Sequence, residues 1–105
     1  MDRQDTIAFL GGTVLTPCRQ IRDGVVLTEG SRIVLLGPRE LVPVPSGAEV
    51  IDAQGEYIAP GFIDVHCHGA VGVDANDPAV TAEGLRQVAA FKARHGTTAF
   101  LLAVA

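Results

Sequence analysis

The sequence predicts an α/β chain in two parts: a small all-β region, then the start of a parallel α/β fold. Up to Ile58 the apolar residues come in short runs split by Gly, Pro and Asp, which is the spacing of strands and turns. Phe62–His68 and Thr98–Val104 are two further apolar runs, and the stretch between them carries helical periodicity. Strand, loop, helix and strand within about 45 residues make one βα unit and the beginning of the next.

In the first part, Thr6–Leu10, the pair Gly11-Gly12, Thr13–Thr16 and Pro17 predict two brief extended pieces with a break at the glycines. Val25–Thr28 and Arg32–Leu36 flank Glu29-Gly30-Ser31, a connection of hairpin length with a glycine where a positive φ is needed. Gly37-Pro38 is expected to end that pair. Pro43-Val44-Pro45-Ser46-Gly47 cannot propagate a ladder and reads as a loop. Glu49–Asp52 and Glu56–Ile58, joined by Ala53-Gln54-Gly55, predict one more pair of strands.

The character changes at Pro60-Gly61. Phe62–His68 is an apolar-rich strand of the kind that parallel sheets bury on both faces. A loop rich in Gly and Asp follows, from Gly69 to Pro78. Leu85, Val88, Ala89 and Lys92 then fall on one helical stripe within Thr81–His95, with Thr81 as N-cap and Gly96 just past the end. Gly84 weakens that helix by about 1 kcal/mol relative to alanine, so packing must hold it. Lys92, Arg94 and His95 suit the negative end of its dipole. The final run is apolar to Ala105, and a strand of that kind needs neighbours on both faces. The sequence is therefore expected to be the N-terminal portion of something longer.

Composition excludes several classes. A net charge of −4, with eight scattered basic residues among 105, does not make the clustered cationic surface that nucleic acid requires. Two cysteines, Cys18 and Cys67, form no disulfide framework, and Met1–Asp5 lacks a signal-peptide pattern, so a reducing cytoplasm is expected. No apolar run approaches the roughly 20 residues needed to span a bilayer.

The candidate functional residues cluster after the Phe62 strand. His66 and His68 flank Cys67, and alternation along a strand sends both imidazoles to one face, about 6–7 Å apart along the chain. They can converge on one ion at the C-terminal end of a strand, where the functional loops of parallel α/β folds lie. Two ligands do not complete a site, since zinc takes three or four protein ligands. Asp64 shares their parity. It could be a third ligand, but a carboxylate there more readily orients a histidine or pairs with a basic group. Cys67 faces the other way and should pack as a small hydrophobe. His95 is expected to cap the helix. Asp74, Asn76 and Asp77 could reach a substrate or simply build the turn into the helix. Gly69 and Gly72 could admit a ligand or serve turn geometry.

The run Ala59-Pro60-Gly61-Phe62-Ile63-Asp64-Val65-His66-Cys67-His68-Gly69 resembles the amidohydrolase superfamily, whose first barrel strand carries Pro-Gly-x-Ile-Asp-x-His-x-His. The preceding Asp23–Leu27, Gly30–Ile33, Leu36–Pro38 and Ile51–Gly55 look like the small β-sandwich that leads into those barrels. Within the superfamily, His68–Asp74 and Arg94–Leu101 look most like the N-acetylglucosamine-6-phosphate deacetylases. The resemblance implies that residues 1–59 are the N-terminal part of a β-sandwich. Residues 60–105 would then start a (β/α)₈ TIM-like barrel with its first βα unit and second strand. It implies a divalent metal held in part by His66 and His68; imidazole accepts zinc, iron, cobalt or nickel. The metal would lower the pKa of a bound water and polarise an acetamide carbonyl. The remaining ligands and a proton-transferring aspartate are expected beyond Ala105, because a barrel takes about 250 residues. The implied substrate is an amino-sugar phosphate, and the full-length protein is expected to be a homo-oligomer. The 105 residues alone should be inactive, weak in metal binding and prone to associate through Thr98–Val104. Other readings are an amidohydrolase acting on a cyclic amide or a deaminase substrate, a non-catalytic metal-binding β-domain, or a degenerate subunit completing a partner's barrel.

Overall fold

The computed structural model describes residues 5–104, in two compact units that divide between Pro60 and Gly61. The first unit contains five strands: β1 (Thr6–Leu15), β2 (Gln20–Glu29), β3 (Arg32–Pro38), β4 (Glu49–Asp52) and β5 (Tyr57–Ile58). They form one sheet in the order β3-β2-β1-β4, with β5 also on β1. The two antiparallel pairings arise from short connections, and Gly30, at φ +55°, turns the chain from β2 into β3.

Alternation along β2 sends Val25 and Leu27 to one face, where Ala8 and Val42 complete a buried cluster. Val42 and Val44 belong to the proline-rich loop, so that loop covers this face of the sheet. Val26 faces the other way and packs with Val14 and Ile21, flanked by Phe9 and Ile58. Strand β3 is less protected, since Ile33, Val34, Leu35 and Leu36 all remain exposed.

Three details depart from the sequence reading. Gly11-Gly12 does not break the chain into two strands; β1 runs through it, with register shifts on both sides of Gly12 and Gly11 at φ +83°. The glycines make a bulge, which accommodates extra backbone within a continuous ladder. Glu49–Asp52 and Tyr57–Ile58 do not pair with each other. Both run parallel to β1, against Ile7–Leu10 and Thr13–Val14 respectively. The intervening turn is closed by the Glu56 amide donating to the Ala53 carbonyl at 2.9 Å, and it passes the bulge so closely that a Cβ on Gly12 would meet the Ala53 oxygen at 2.9 Å. The third departure is that Gly37 and Pro38 lie inside β3, opposite Val25 and Gly24. Proline is tolerated there because β3 is an edge strand.

The second unit comprises β6 (Phe62–Cys67), β7 (Gly69–Ala70), β8 (Val73–Asp74), α1 (Ala82–Arg94) and β9 (Thr97–Leu102). Strands β6 and β9 pair in parallel across the helix, which is the predicted βαβ order. Thr81 caps α1, its hydroxyl accepting from the Gly84 amide at 3.0 Å. Gly96, at φ +84°, follows the helix and donates to the Ala93 carbonyl at 3.1 Å. Its own carbonyl accepts from the Phe62 amide at 2.8 Å, tying the end of α1 to the start of β6. Val88 is the fully buried residue of the helix. Strand β6 stops at Cys67, so His68 lies just beyond it, and the glycine-rich loop contains the two-residue hairpin β7–β8.

Candidate metal centre

The His66 and His68 rings meet edge-on, with their Nε2 atoms 3.0 Å apart. Convergence of two ring nitrogens at this separation is what a shared ion requires of two of its ligands. His66 is carried by β6, while His68 is fixed from several sides. The Ala75 amide donates to its carbonyl at 2.8 Å, and its Nδ1 lies 2.9 Å from the carbonyl oxygen of Ala103 beyond β9. An N–H at Nδ1 donating to that carbonyl leaves the lone pair of His68 on Nε2, the atom facing His66. Asn76 Nδ2 approaches the same Nδ1 at 3.4 Å. Asn76 is in turn held by Asp74, whose Oδ1 accepts from its backbone amide at 2.8 Å.

Asp64 does not follow the expected parity. From Asp64 opposite Phe100 to Cys67 opposite Leu102, β6 takes three steps where β9 takes two. This bulge breaks the alternation on which the expectation rested. The Asp64 carboxylate is engaged by α1: Oδ2 accepts from Lys92 Nζ at 2.6 Å, while Oδ1 accepts from the His66 backbone amide at 3.1 Å. The Lys92 ammonium and, next, the His66 amide hold the Asp64 carboxyl below its ordinary pKa of 3.8. The same hydrogen bond raises Lys92 above 10.5. Only 15% of the Lys92 side chain is exposed, and its ammonium lies 5.6 Å from the centre of the Phe100 ring.

Cys67 is buried beside Lys92, with Sγ 3.7 Å from the Gly69 carbonyl. His95 is the C-cap residue of α1, and its ring rests on Phe91 at 4.7 Å. Asp77 builds the turn into the helix, accepting from the Ala79 amide at 2.8 Å. Gly69, at φ +144°, has room for no side chain, because a Cβ would meet the Val73 carbonyl oxygen at 1.9 Å. Gly72, at φ +77°, sits in open space.

Lys92, placed by the sequence on the helical stripe and at the negative end of the dipole, has a further role that the sequence does not assign to it, as the partner of Asp64. Its position on the stripe of Leu85, Val88 and Ala89 was the available signal, because a lysine on an apolar stripe needs a buried partner. The donor set fits part of a metal site, with His66 and His68 as two imidazole ligands. Among the described residues, no group of three His, Cys, Asp or Glu side chains could hold an ion. No helix among them is long and apolar enough to cross a membrane.

The chain is similar in sequence and in fold to the amidohydrolase superfamily. It is 47% identical over 70 residues to a 5-methylthioadenosine/S-adenosylhomocysteine deaminase of Symbiobacterium thermophilum, a match covering 64% of this chain and 16% of the relative. An imidazolonepropionase of Caulobacter vibrioides is 45% identical over 58 residues, covering 51% of this chain and 14% of the relative. Structural neighbours that match it over 90% or more of its length include N-acetylglucosamine-6-phosphate deacetylases, a prolidase and a phenylurea hydrolase. The enzyme from Pasteurella multocida superposes with a TM-score of 0.81 at 27% identity, over 92% of this chain and 25% of the neighbour. This chain thus spans a quarter or less of the lengths of these proteins. No protein-family model matches it.

Proposed function

We propose that the chain carries the first two metal ligands of a metal-dependent amidohydrolase, and that its reaction is removal of the acetyl group from an N-acetylamino-sugar phosphate. The observation that carries the metal reading is the 3.0 Å approach of the His66 and His68 Nε2 atoms beyond β6. The deacetylase reading is supported by the likeness to the Pasteurella multocida enzyme over 92% of the chain.

His66 and His68 would hold the ion, and His68 is prepared for this by its Nδ1 contact with the Ala103 carbonyl. A divalent ion held there supplies Lewis-acid chemistry, acidifying water and polarising an amide carbonyl. The chain's own contribution is orientation. The hairpin β7–β8 and the Asp74–Asn76 turn border His68, with Asn76 Nδ2 at 3.4 Å from its Nδ1. The other ligands and the group that moves protons would come from further residues of the protein.

A second reading, deamination of a nucleoside-like substrate, is favoured by the 47% identity to the deaminase. Acetate release from N-acetylglucosamine 6-phosphate and ammonia release from S-adenosylhomocysteine separate the two. Acetate without ammonia supports the deacetylase. Ammonia alone replaces it with the deaminase. In the full-length protein the His66→Ala, His68→Ala double variant is expected to lose bound metal and turnover together; unchanged metal content would remove the pair from the ligand set.

A further inference from the structure

The bulge in β6 lies between Asp64 and Cys67, and His66 is inside it. A bulge leaves backbone groups outside the regular ladder, and those groups need other partners. Here the His66 amide donates to Asp64 Oδ1 at 3.1 Å. The other carboxylate oxygen takes the Lys92 ammonium at 2.6 Å. Lys92 also lies near Cys67, on the far side of the bulge. Its side chain is largely shielded, which keeps water from competing for the contact. Helix α1, itself anchored by Val88, thus reaches the backbone of His66 through two side-chain contacts.

We propose that Lys92 is a positioning residue for His66: by holding Asp64 against the His66 amide it fixes the β6 bulge that turns the His66 imidazole toward His68. The role rests on the reading of the histidine pair as metal ligands. It follows from elementary geometry, because a regular strand repeats side-chain direction every second residue, whereas a bulge re-aims the side chain within it. Supports of this kind behind a metal ligand are worth roughly ten- to a hundredfold in metal affinity.

The test is calorimetric titration of Zn²⁺ into metal-free full-length protein, wild type against Lys92→Met, Lys92→Arg and Asp64→Asn. Amide hydrogen exchange is followed at His66 and along α1. Lys92→Met is expected to weaken Zn²⁺ binding about ten- to a hundredfold and to speed exchange at His66, with protection at Val88 retained. Lys92→Arg should recover most of the affinity, since it restores the cation. Asp64→Asn keeps an oxygen for the His66 amide but loses the charge, so it should fall between wild type and Lys92→Met; it also carries the test if Lys92→Met does not fold. Wild-type Zn²⁺ affinity in both Lys92→Met and Asp64→Asn overturns the positioning role and leaves the metal reading standing. Wild-type full-length protein that takes up no Zn²⁺ overturns the metal reading, and the role with it.

Discussion

Replacing Gly69 by alanine tests whether the hairpin after β6 holds His68 in place. Gly69 has φ +144°, and holding an L residue in such sparsely populated backbone costs about 1–3 kcal/mol. The new Cβ would sit 1.9 Å from the Val73 carbonyl oxygen, where real contacts need at least 3.0 Å, so the carbonyl must retreat. Val73 belongs to β8, and β7 and β8 pair at only two positions, Gly69 with Asp74 and Ala70 with Val73. Opening that ladder forfeits hydrogen bonds worth about 1 kcal/mol each, which is less than retaining both strain and clash. The hairpin should therefore open while β6, α1 and β9 stay folded. A local loss of about 2 kcal/mol corresponds to roughly 30-fold faster exchange of amides in the turn. The amide to follow is that of Ala75, which donates to the His68 carbonyl at 2.8 Å. Zn²⁺ affinity should fall about tenfold or more as His68 loses that tether. Gly72→Ala is the control: its φ of +77° is strained, but no atom lies within 4 Å of the new Cβ. It should cost only about 1 kcal/mol and leave Ala75 protected. Unchanged protection at Ala75 and unchanged Zn²⁺ affinity in Gly69→Ala would refute the reasoning.

Val88→Ala removes two methyl groups from a fully buried site and should destabilise the unit containing α1 by about 2 kcal/mol, measured by chemical denaturation; a loss under about 0.5 kcal/mol would mean that Val88 does not anchor α1. The Asp64–Lys92 pair sets a pH window. With Asp64 lowered below 3.8, its contribution is complete above the ordinary aspartate range and fades as pH falls through the folded value; with Lys92 raised above 10.5, its contribution is complete below that value and fades at higher pH. The difference in thermal midpoint between wild type and Asp64→Asn should be flat from pH 5 to 9 and shrink toward both extremes, and a slope across the plateau would contradict the pairing. Cys67→Ala should lower stability modestly while leaving bound-metal content unchanged, since Sγ contacts the Gly69 carbonyl and Lys92 rather than the imidazoles; loss of metal on that substitution would place the thiol in the site.

Much of the second unit is legible because its signals are local. Thr81 and Gly96 bracket α1 through groups within three residues of themselves, and the stripe of Leu85, Val88 and Ala89 identifies the helix before any neighbour is known. The presence of the histidine pair near a strand end is legible for the same reason, since its spacing is local. Glu49–Asp52 and Tyr57–Ile58 do not form the expected pair because Gln54-Gly55 reads locally as a reversal, whereas β4 and β5 continue in one direction along β1, on either side of its Gly11-Gly12 bulge. Asp64 makes the contact with a basic group that its chemistry favours, but which basic group is not legible, because Lys92 is 28 residues away and the register shift in β6 appears only against β9.

The alternation of strand and helix, the caps of α1 and the presence of two imidazoles one residue apart are all written in the chain. Each follows from covalent spacing and side-chain chemistry over a few residues. The folded chain settles where those imidazoles point, brings the Ala103 carbonyl to Nδ1 of His68, and carries Lys92 across from α1 to Asp64, which accepts from the His66 amide. Those contacts join residues 28 and 35 positions apart, and hydrogen bonding at such separations is set by strand register and helix placement rather than by any local pattern.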